Sequence, residues 1–161
     1  MKHTVGLAEM RISAESGDVL ITHSLGSCLG VVLHDPITAV GAMLHAMLPL
    51  STINPEKAAA NPYMFVDTGV PRLLTEFFKA GGRKQNMVVK VAGGAAIGAL
   101  DRGTDFFAIG SRNMVVFRKV LWKNGLMIKA ADVGGSRPRT VSLAIGTGEM
   151  LIRSDNAIKA L

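Results

Sequence analysis

Cysteine is nearly absent from this chain, which contains one, Cys28, among 161 residues. A lone cysteine cannot form an internal disulfide, so disulfide-stabilised secreted scaffolds are excluded and a reducing cytoplasm is the expected location. Long apolar runs are also missing, because none approaches the ~20 residues that span a bilayer. The first residues, Met1–Val5, lead to Glu9 and Arg11 rather than to the apolar core of a signal peptide. We therefore expect a cytoplasmic protein that inserts no segment into a membrane.

Aromatic residues are scarce as well, with one Trp, one Tyr and six Phe. The 18 basic residues outnumber the 12 acidic ones and give a net charge of +6, but they are scattered along the chain. Nucleic-acid surfaces combine basic clusters with rings for base stacking, so we expect no nucleic-acid partner. An acidic protein surface fits the charge, and a merely solvated surface is the alternative. The length and the 48% hydrophobic content predict one globular domain over residues 1–161.

The stretch from Thr22 to Pro49 concentrates the reactive side chains, since it holds the cysteine and three of the four histidines. Leu29–Leu33 is an apolar run typical of a buried strand, His34-Asp35-Pro36 is turn chemistry, and a second apolar run follows. If Leu33 pairs with Val40, Cys28 lies directly opposite His45, with Cβ atoms roughly 4.5–5.5 Å apart. A slip of one residue would send His45 to the other face. The pattern predicts a thiol–imidazole pair with a depressed thiol pKa.

Three neighbouring residues complete a possible catalytic group. Gly26 and Ser27 allow a sharp turn whose backbone N–H groups can face an oxyanion beside Cys28. Thr22 ends an apolar strand and can hold the second nitrogen of His45. A nucleophile, a base and an orienting residue form the arrangement that activates a thiol. The structural alternatives are an inert buried cysteine, a hydrogen-bonded core histidine and an ordinary strand threonine.

Cofactor motifs are not found. His23, His34 and Cys28 lack the CxxC or HxxxH spacing that preorganises a zinc site, so we expect no metal. The cluster Gly93–Gly98 follows a strand but is neither a Walker A motif nor G-x-G-x-x-G, so no nucleotide is expected. Close backbone packing is the better explanation of these glycines.

The remaining pattern predicts the element order β-β-β-β-α-β-α-β-β-β, with hairpins between several neighbours, and therefore the α+β class. Thr4–Ile12 is expected to form one strand, and Ser111 is expected to cap a helix that ends at Lys123. The polar segment Ser51–Pro62 is expected to be a loop, either one wall of a substrate groove or a plain surface connection.

Several short motifs, in order, resemble one family. They are L-G-S-C around Cys28, G-A-M-L-H-A-M-L-P around His45, Gly93-Gly94-Ala95, Ile109-Gly110-Ser111-Arg112-Asn113, and Asp132-Val133-Gly134-Gly135 with Arg139. From about Val5 to Ile152 the chain resembles the CheD family of chemoreceptor glutamine deamidases. The resemblance implies Cys28 as nucleophile, His45 as general base and Thr22 as the residue that orients it. It also implies layered mixed or antiparallel sheets flanked by helices, similar to the cysteine hydrolases among bacterial deamidating toxins.

By this resemblance the protein converts glutamine side chains of methyl-accepting chemotaxis receptors to glutamate through a Cys thioester, with release of ammonia. Hydrolysis of glutamyl methyl esters is accessible to the same site. The resemblance also implies a CheC-type phosphatase as partner and no cofactor. Two alternatives are a non-catalytic module that regulates a CheC-type phosphatase, and a transglutaminase or thiol protease that uses the same pair.

Four further residues are candidates for a substrate or partner rim. Phe106 and Phe107 are adjacent aromatics in a segment without helical spacing, so one ring can face outward. Arg137 and Arg139 flank a proline in a glycine-rich loop and can bind a carboxylate. The alternatives are two buried rings and a solvated loop.

Overall fold

The computed structural model describes residues 1–97 and 108–161, which form ten strands, three α-helices and three short 3-10 turns. The strands are β1 Lys2–Thr4, β2 Met10–Ser13, β3 Val19–Leu25, β4 Leu29–Asp35, β5 Val40–Ala46, β6 Val88–Gly93, β7 Ala130–Val133, β8 Arg139–Ala144, β9 Met150–Ser154 and β10 Ala157–Ala160. The helices are α1 Pro55–Ala60, α2 Val66–Lys79 and α3 Ile109–Lys123, and the turns are Ser51–Ile53, Pro62–Met64 and Lys84–Asn86. None of these described helices combines the length and apolar composition needed to cross a bilayer.

The strands form two five-stranded sheets. The first sheet has the order β1-β3-β8-β9-β10 and the second has the order β2-β5-β4-β6-β7. Among the strands named above, the pairs β1/β3 and β6/β7 are parallel and the other ladders are antiparallel. Two mixed sheets with few helices confirm the predicted α+β class. The similarity to deamidating toxins stays a prediction.

The hairpin of β4 and β5 lies at the centre of the second sheet, and every residue of both strands is buried. Alternate side chains point to opposite faces of a sheet. Leu29, Val31 and Leu33 therefore pack in one cluster with α2 and α3, in which Phe77 and Phe117 are fully buried. Each such ring contributes about 1.5–3 kcal/mol to folding.

The other face of β4 and β5 packs against the first sheet. Val32 and Met43 belong to a second cluster that includes Leu20, Val141 and Leu143 of β3 and β8. The fold thus has three layers: the first sheet, the second sheet, and the helices. Any side chain of β4 or β5 that shares a face with Val32 or Met43 lies between the two sheets.

The register of the central hairpin differs from the prediction by two residues. Leu33 pairs with Ala42, and Asp35 pairs with Val40. The reason is a short turn, in which the Asp35 carboxylate accepts hydrogen bonds from the backbone N–H groups of Ile37 (2.8 Å) and Thr38 (3.1 Å). A displacement of two residues keeps every side chain on its predicted face.

Three local predictions are wrong. The segment Thr4–Ile12 forms parts of two separate strands, β1 and β2, rather than one. The polar segment Ser51–Pro62 is largely helical, because the Asn54 side chain accepts from the backbone N–H of Lys57 (3.1 Å) and caps α1. Helix α3 begins at Ile109, before the expected Ser111 cap, after Ala108 in a left-handed conformation.

Candidate active site

Thr22 and His45 are joined by a short hydrogen bond between the two sheets. The Thr22 hydroxyl donates to the backbone carbonyl of Val5 at 2.7 Å, and its oxygen lies 2.7 Å from Nδ1 of His45. Because the single hydroxyl proton is used at Val5, Nδ1 must carry a proton and donate to Oγ1. This leaves Nε2 of the neutral ring as an unprotonated base. The predicted contact between Thr22 and His45 is thus present.

The second ring nitrogen of His45 has no hydrogen-bond partner within the described part of the chain, although it is buried. Burial lowers the pKa of His45, since it disfavours the charged ring. A buried nitrogen without a partner is costly in a folded protein. A general base needs such an unoccupied ring nitrogen in order to accept a proton.

Cys28 is half-buried and packs against the cluster between the two sheets. It lies two residues before Gly30, which is the direct partner of His45, so Cys28 and His45 share one face in diagonal positions rather than facing each other directly. Burial raises the pKa of the Cys28 thiol, and its own backbone N–H acts in the opposite direction. The predicted depressed thiol pKa is therefore wrong, because burial raises the pKa instead.

The loop of Gly26, Ser27 and Cys28 is held by its three carbonyl groups. The Gly26 oxygen accepts from the backbone N–H of Ala95 at 2.9 Å, and the Cys28 oxygen accepts from Gly94 at 3.0 Å. The Ser27 oxygen accepts from Nδ2 of Asn113 at 2.9 Å. Among residues 1–97 and 108–161, no oxygen of another residue accepts from the three N–H groups of this loop. The oxyanion role predicted for Gly26 and Ser27 stays a prediction.

The glycine cluster after β6 packs directly on this loop. Gly93 has a φ of 112°, and a Cβ there would overlap the carbonyl oxygen of Cys28. Gly94 has a φ of 62° and lies against Gly110 and Leu29. These contacts confirm the explanation by close backbone packing.

Gly30 is a site residue that sequence reasoning missed. A Cβ at Gly30 would lie 2.7 Å from Cδ1 of Leu25 and 3.7 Å from Cγ2 of Thr22. The absence of a side chain lets β3 approach β4 closely enough for Thr22 to reach His45. A glycine inside an apolar strand was the available signal, because it often marks close approach of another element.

The four rim candidates lie in different surroundings. Phe106 and Phe107 are outside the described residues. Arg137 is exposed and forms an ion pair with Asp155, so its rim role stays a prediction. Arg139 is buried, and its guanidinium donates to the carbonyls of Gly93 (3.2 Å) and Gly134 (2.9 Å). Its guanidinium also lies 3.5 Å from the Asp132 carboxylate, and its rim role, like that of Arg137, stays a prediction.

A cavity of about 430 Å³ lies beside these arginines and includes Asp132, Gly135 and Lys159 in its lining. Thr22, Cys28 and His45 are not part of its lining. His34, from the zinc alternative, lies elsewhere and contacts the carbonyl of Ile145 through Nε2 at 2.7 Å. The described residues include no group of three His, Cys, Asp or Glu side chains placed to hold a metal ion.

Several known proteins are similar in sequence to this chain over nearly its whole length. A family model described as CheD chemotactic sensory transduction matches residues 47–154. A protein from Syntrophus aciditrophicus named "Probable chemoreceptor glutamine deamidase CheD 1" is 45% identical over 93% of this chain and 92% of its own length. Similarly named proteins from Solibacter usitatus (41% identical, 98% of this chain and 91% of the relative) and Anaeromyxobacter dehalogenans (40%, 98% and 98%) also match. The chain therefore belongs to the CheD family.

Proposed function

We propose that this protein deamidates glutamine side chains of chemoreceptors, with Cys28 as nucleophile, His45 as general base and Thr22 as the residue that orients His45. One observation carries the proposal: the chain of hydrogen bonds from His45 through Thr22 to the Val5 carbonyl fixes the proton on Nδ1. Nε2 is then the only basic nitrogen of the ring and lies on the face that Cys28 shares. The names of the relatives support the same reaction.

The first step forms the tetrahedral intermediate that precedes the thioester. The Cys28 proton passes to Nε2 of His45 while the sulfur bonds to the amide carbon of the substrate glutamine. The carbonyl π electrons move to the oxygen, which becomes an oxyanion. The backbone N–H groups of Gly26, Ser27 and Cys28 stabilise that charge. The neutral resting pair suits this step, because the proton transfers only as the sulfur attacks.

The tetrahedral intermediate then releases ammonia to give the thioester, and hydrolysis of the thioester releases glutamate. The oxyanion collapses, the C–N bond breaks, and the protonated His45 gives its proton to the leaving nitrogen. A water molecule then loses a proton to Nε2 and attacks the thioester carbon. Collapse breaks the C–S bond and returns the proton to the sulfur. The balance is one amide and one water converted to one carboxylic acid and one ammonia.

The substrate class follows from the family. The relatives' names specify chemoreceptors, so the proposed substrates are the cytoplasmic helices of methyl-accepting chemotaxis proteins, and the proposed location is the cytoplasm. A net charge of +6 favours association with acidic surfaces of such helices. A glutamyl methyl ester presents the same carbonyl, with methanol as leaving group in place of ammonia. A CheC-type phosphatase is the proposed regulatory partner.

The reaction is tested by incubation of the protein with a chemoreceptor cytoplasmic fragment, followed by peptide mass spectrometry. We expect a mass gain of about one dalton at specific glutamines, together with released ammonia. Addition of a primary amine separates hydrolysis from amine transfer, since a transglutaminase would attach the amine. Binding of the receptor without any mass change would favour the non-catalytic module.

A further inference from the structure

Asn113 lies in the second turn of α3, and its side chain is fully buried. Its Nδ2 group donates to the carbonyl oxygen of Ser27 at 2.9 Å and to that of Met47 at 3.1 Å. Both protons of the amide group therefore have backbone acceptors. Within the described residues its own oxygen, Oδ1, is buried without a partner. A leucine of similar size would leave no unpaired oxygen, so the amide is explained by its two donors.

The two carbonyls belong to the two halves of the candidate site. Ser27 immediately precedes Cys28, and Met47 follows His45 by two residues. The β4/β5 ladder ends at the pair Leu29 and Ala46. Ser27 and Met47 therefore lie just beyond the last paired residues of the two strands. Beyond that pair, the N–H of Met47 bonds to Met64 instead (2.9 Å). Asn113 therefore links the two backbone segments beyond the end of the β4/β5 ladder.

The approach of α3 to this point depends on Gly110. A Cβ at Gly110 would lie 2.5 Å from the carbonyl oxygen of Gly94 and 2.6 Å from that of Ala95. The first turn of α3 thus packs on the same Gly94–Ala95 segment that holds the Cys28 loop. Asn113, three residues later, lies on the same side of the helix.

We infer that Asn113 is a positioning residue that sets the separation of Cys28 and His45, an inference that rests on the proposed function. It touches neither substrate nor reacting atoms. Its two donors fix the backbone on both sides of the pair, so that Nε2 receives the thiol proton during attack. Displacement of a catalytic group by about 1 Å can reduce the rate by two orders of magnitude.

The main test is Asn113→Asp, which keeps the shape but replaces the donor group by an acceptor facing two carbonyl oxygens. We expect kcat for receptor deamidation to fall by about tenfold or more while KM stays within about twofold. Asn124→Ala, at the residue that directly follows α3, is the control, since Asn124 also donates through Nδ2, to the Val120 carbonyl at 2.8 Å. The control is expected to keep kcat even where it lowers the melting temperature. Equal kcat values for Asn113→Asp and the wild type would overturn the inference.

A second readout does not depend on deamidation. In the folded wild type, through-hydrogen-bond couplings measured by NMR should connect the Asn113 amide group to both the Ser27 and Met47 carbonyls. Iodoacetamide labelling of Cys28 should slow on His45→Ala, and this effect should shrink at least about threefold in the Asn113→Asp background. Missing couplings, or an undiminished His45 effect, would contradict the role of Asn113. A wild type that labels normally but leaves receptors unchanged would refute the proposed function alone.

Discussion

Gly30 lies directly opposite His45 in the central hairpin, and the space where a side chain would stand is filled by Leu25 and Thr22 of the neighbouring sheet. The strand that carries the orienting threonine can therefore lie close to the strand that carries the histidine. Gly30 thus helps to maintain the Thr22–His45 hydrogen bond that places the ring proton of His45 on Nδ1. The site depends on packing between the two sheets as well as on the three polar side chains.

Gly30→Ala is expected to destabilise the protein by about 1–3 kcal/mol, because the added methyl group overlaps Leu25 in a closely packed layer. It should also reduce deamidation, since the Leu25 side chain must shift next to the Thr22–His45 hydrogen bond. Urea unfolding and receptor deamidation measure the two effects. Gly17→Ala is the matched control, because nothing lies within 4 Å of a Cβ there and its stability should change little. Equal effects of the two substitutions would show that Gly30 has no special role.

Thr22→Val removes the hydroxyl group with little change in shape and leaves the proton on Nδ1 without an acceptor. We expect kcat to fall by about ten- to a hundredfold, because a catalytic group misplaced by about 1 Å can lose about a hundredfold in rate. Thr22→Ser keeps the hydroxyl and should retain most of the activity. Nitrogen NMR of His45 should show a proton on Nδ1 in the wild type and a mixture of tautomers in Thr22→Val. Full activity of the valine variant would reduce Thr22 to a structural role.

The pH dependence of the free enzyme should reflect a neutral pair. Burial raises the pKa of Cys28 and lowers that of His45, so thiol and imidazole are both neutral over a wide range. Iodoacetamide labelling should have its midpoint above the ordinary thiol value of ~8.5. The value of kcat/KM should stay level from about 6.5 to about 8.5, because His45 becomes protonated only below this range.

A labelling midpoint well below that of free cysteine would contradict this description and would indicate a thiolate–imidazolium pair. Free cysteine measured in parallel provides the control. His45→Ala should leave the labelling midpoint above the ordinary value, since burial rather than a charged partner raises it.

Sequence reasoning identifies the three candidate residues of the site but not the residues that support them. Cys28 and His45 are predicted because reactive side chains are unusual around an apolar hairpin, Thr22 because it ends the preceding apolar run, and all three because the motifs resemble a known family. The hairpin was predicted two residues out of register, since hydrophobic alternation constrains the face of a strand far better than its partner.

The supporting residues could not be predicted from local pattern. Asn113 is 86 residues from Ser27 in the chain, and no periodicity connects a helix amide with a distant loop carbonyl. Arg139 follows a glycine-rich loop and has the sequence environment of an exposed residue, yet it is buried by contacts with Gly93 and Gly134. Such roles arise from tertiary contacts that only the assembled layers reveal.

Asp35 makes the central hairpin sensitive to acid. Burial alone would raise its pKa, but three backbone N–H donors and one side-chain amide outweigh that effect and lower the pKa to about 2. The donors are Arg83, Thr38, Ile37 and Asn86. Because the folded-state pKa lies below the unfolded value of ~3.9, the ionised carboxylate stabilises the fold above about pH 4 and loses this effect as the pH falls towards 2.

Asp35→Asn should therefore be less stable than the wild type at pH 7, and the difference should shrink at pH 3. Urea midpoints at both pH values measure the change. Asp155→Asn, at an exposed carboxylate paired with Arg137, is the control and should show a small difference at both. A gap for Asp35→Asn that is the same at pH 7 and pH 3 would rule out the proposed stabilisation.

The central claim is that Cys28 forms the bond to the substrate, and the most direct test is the deamidation rate of Cys28→Ala. Loss of one sulfur at a half-buried position leaves a small cavity, so the variant should fold normally by circular dichroism and thermal unfolding. We expect no conversion of receptor glutamine to glutamate above the rate without enzyme, measured by mass spectrometry at equal folded concentration. Conversion by Cys28→Ala at a rate near that of the wild type would show that the nucleophile lies elsewhere.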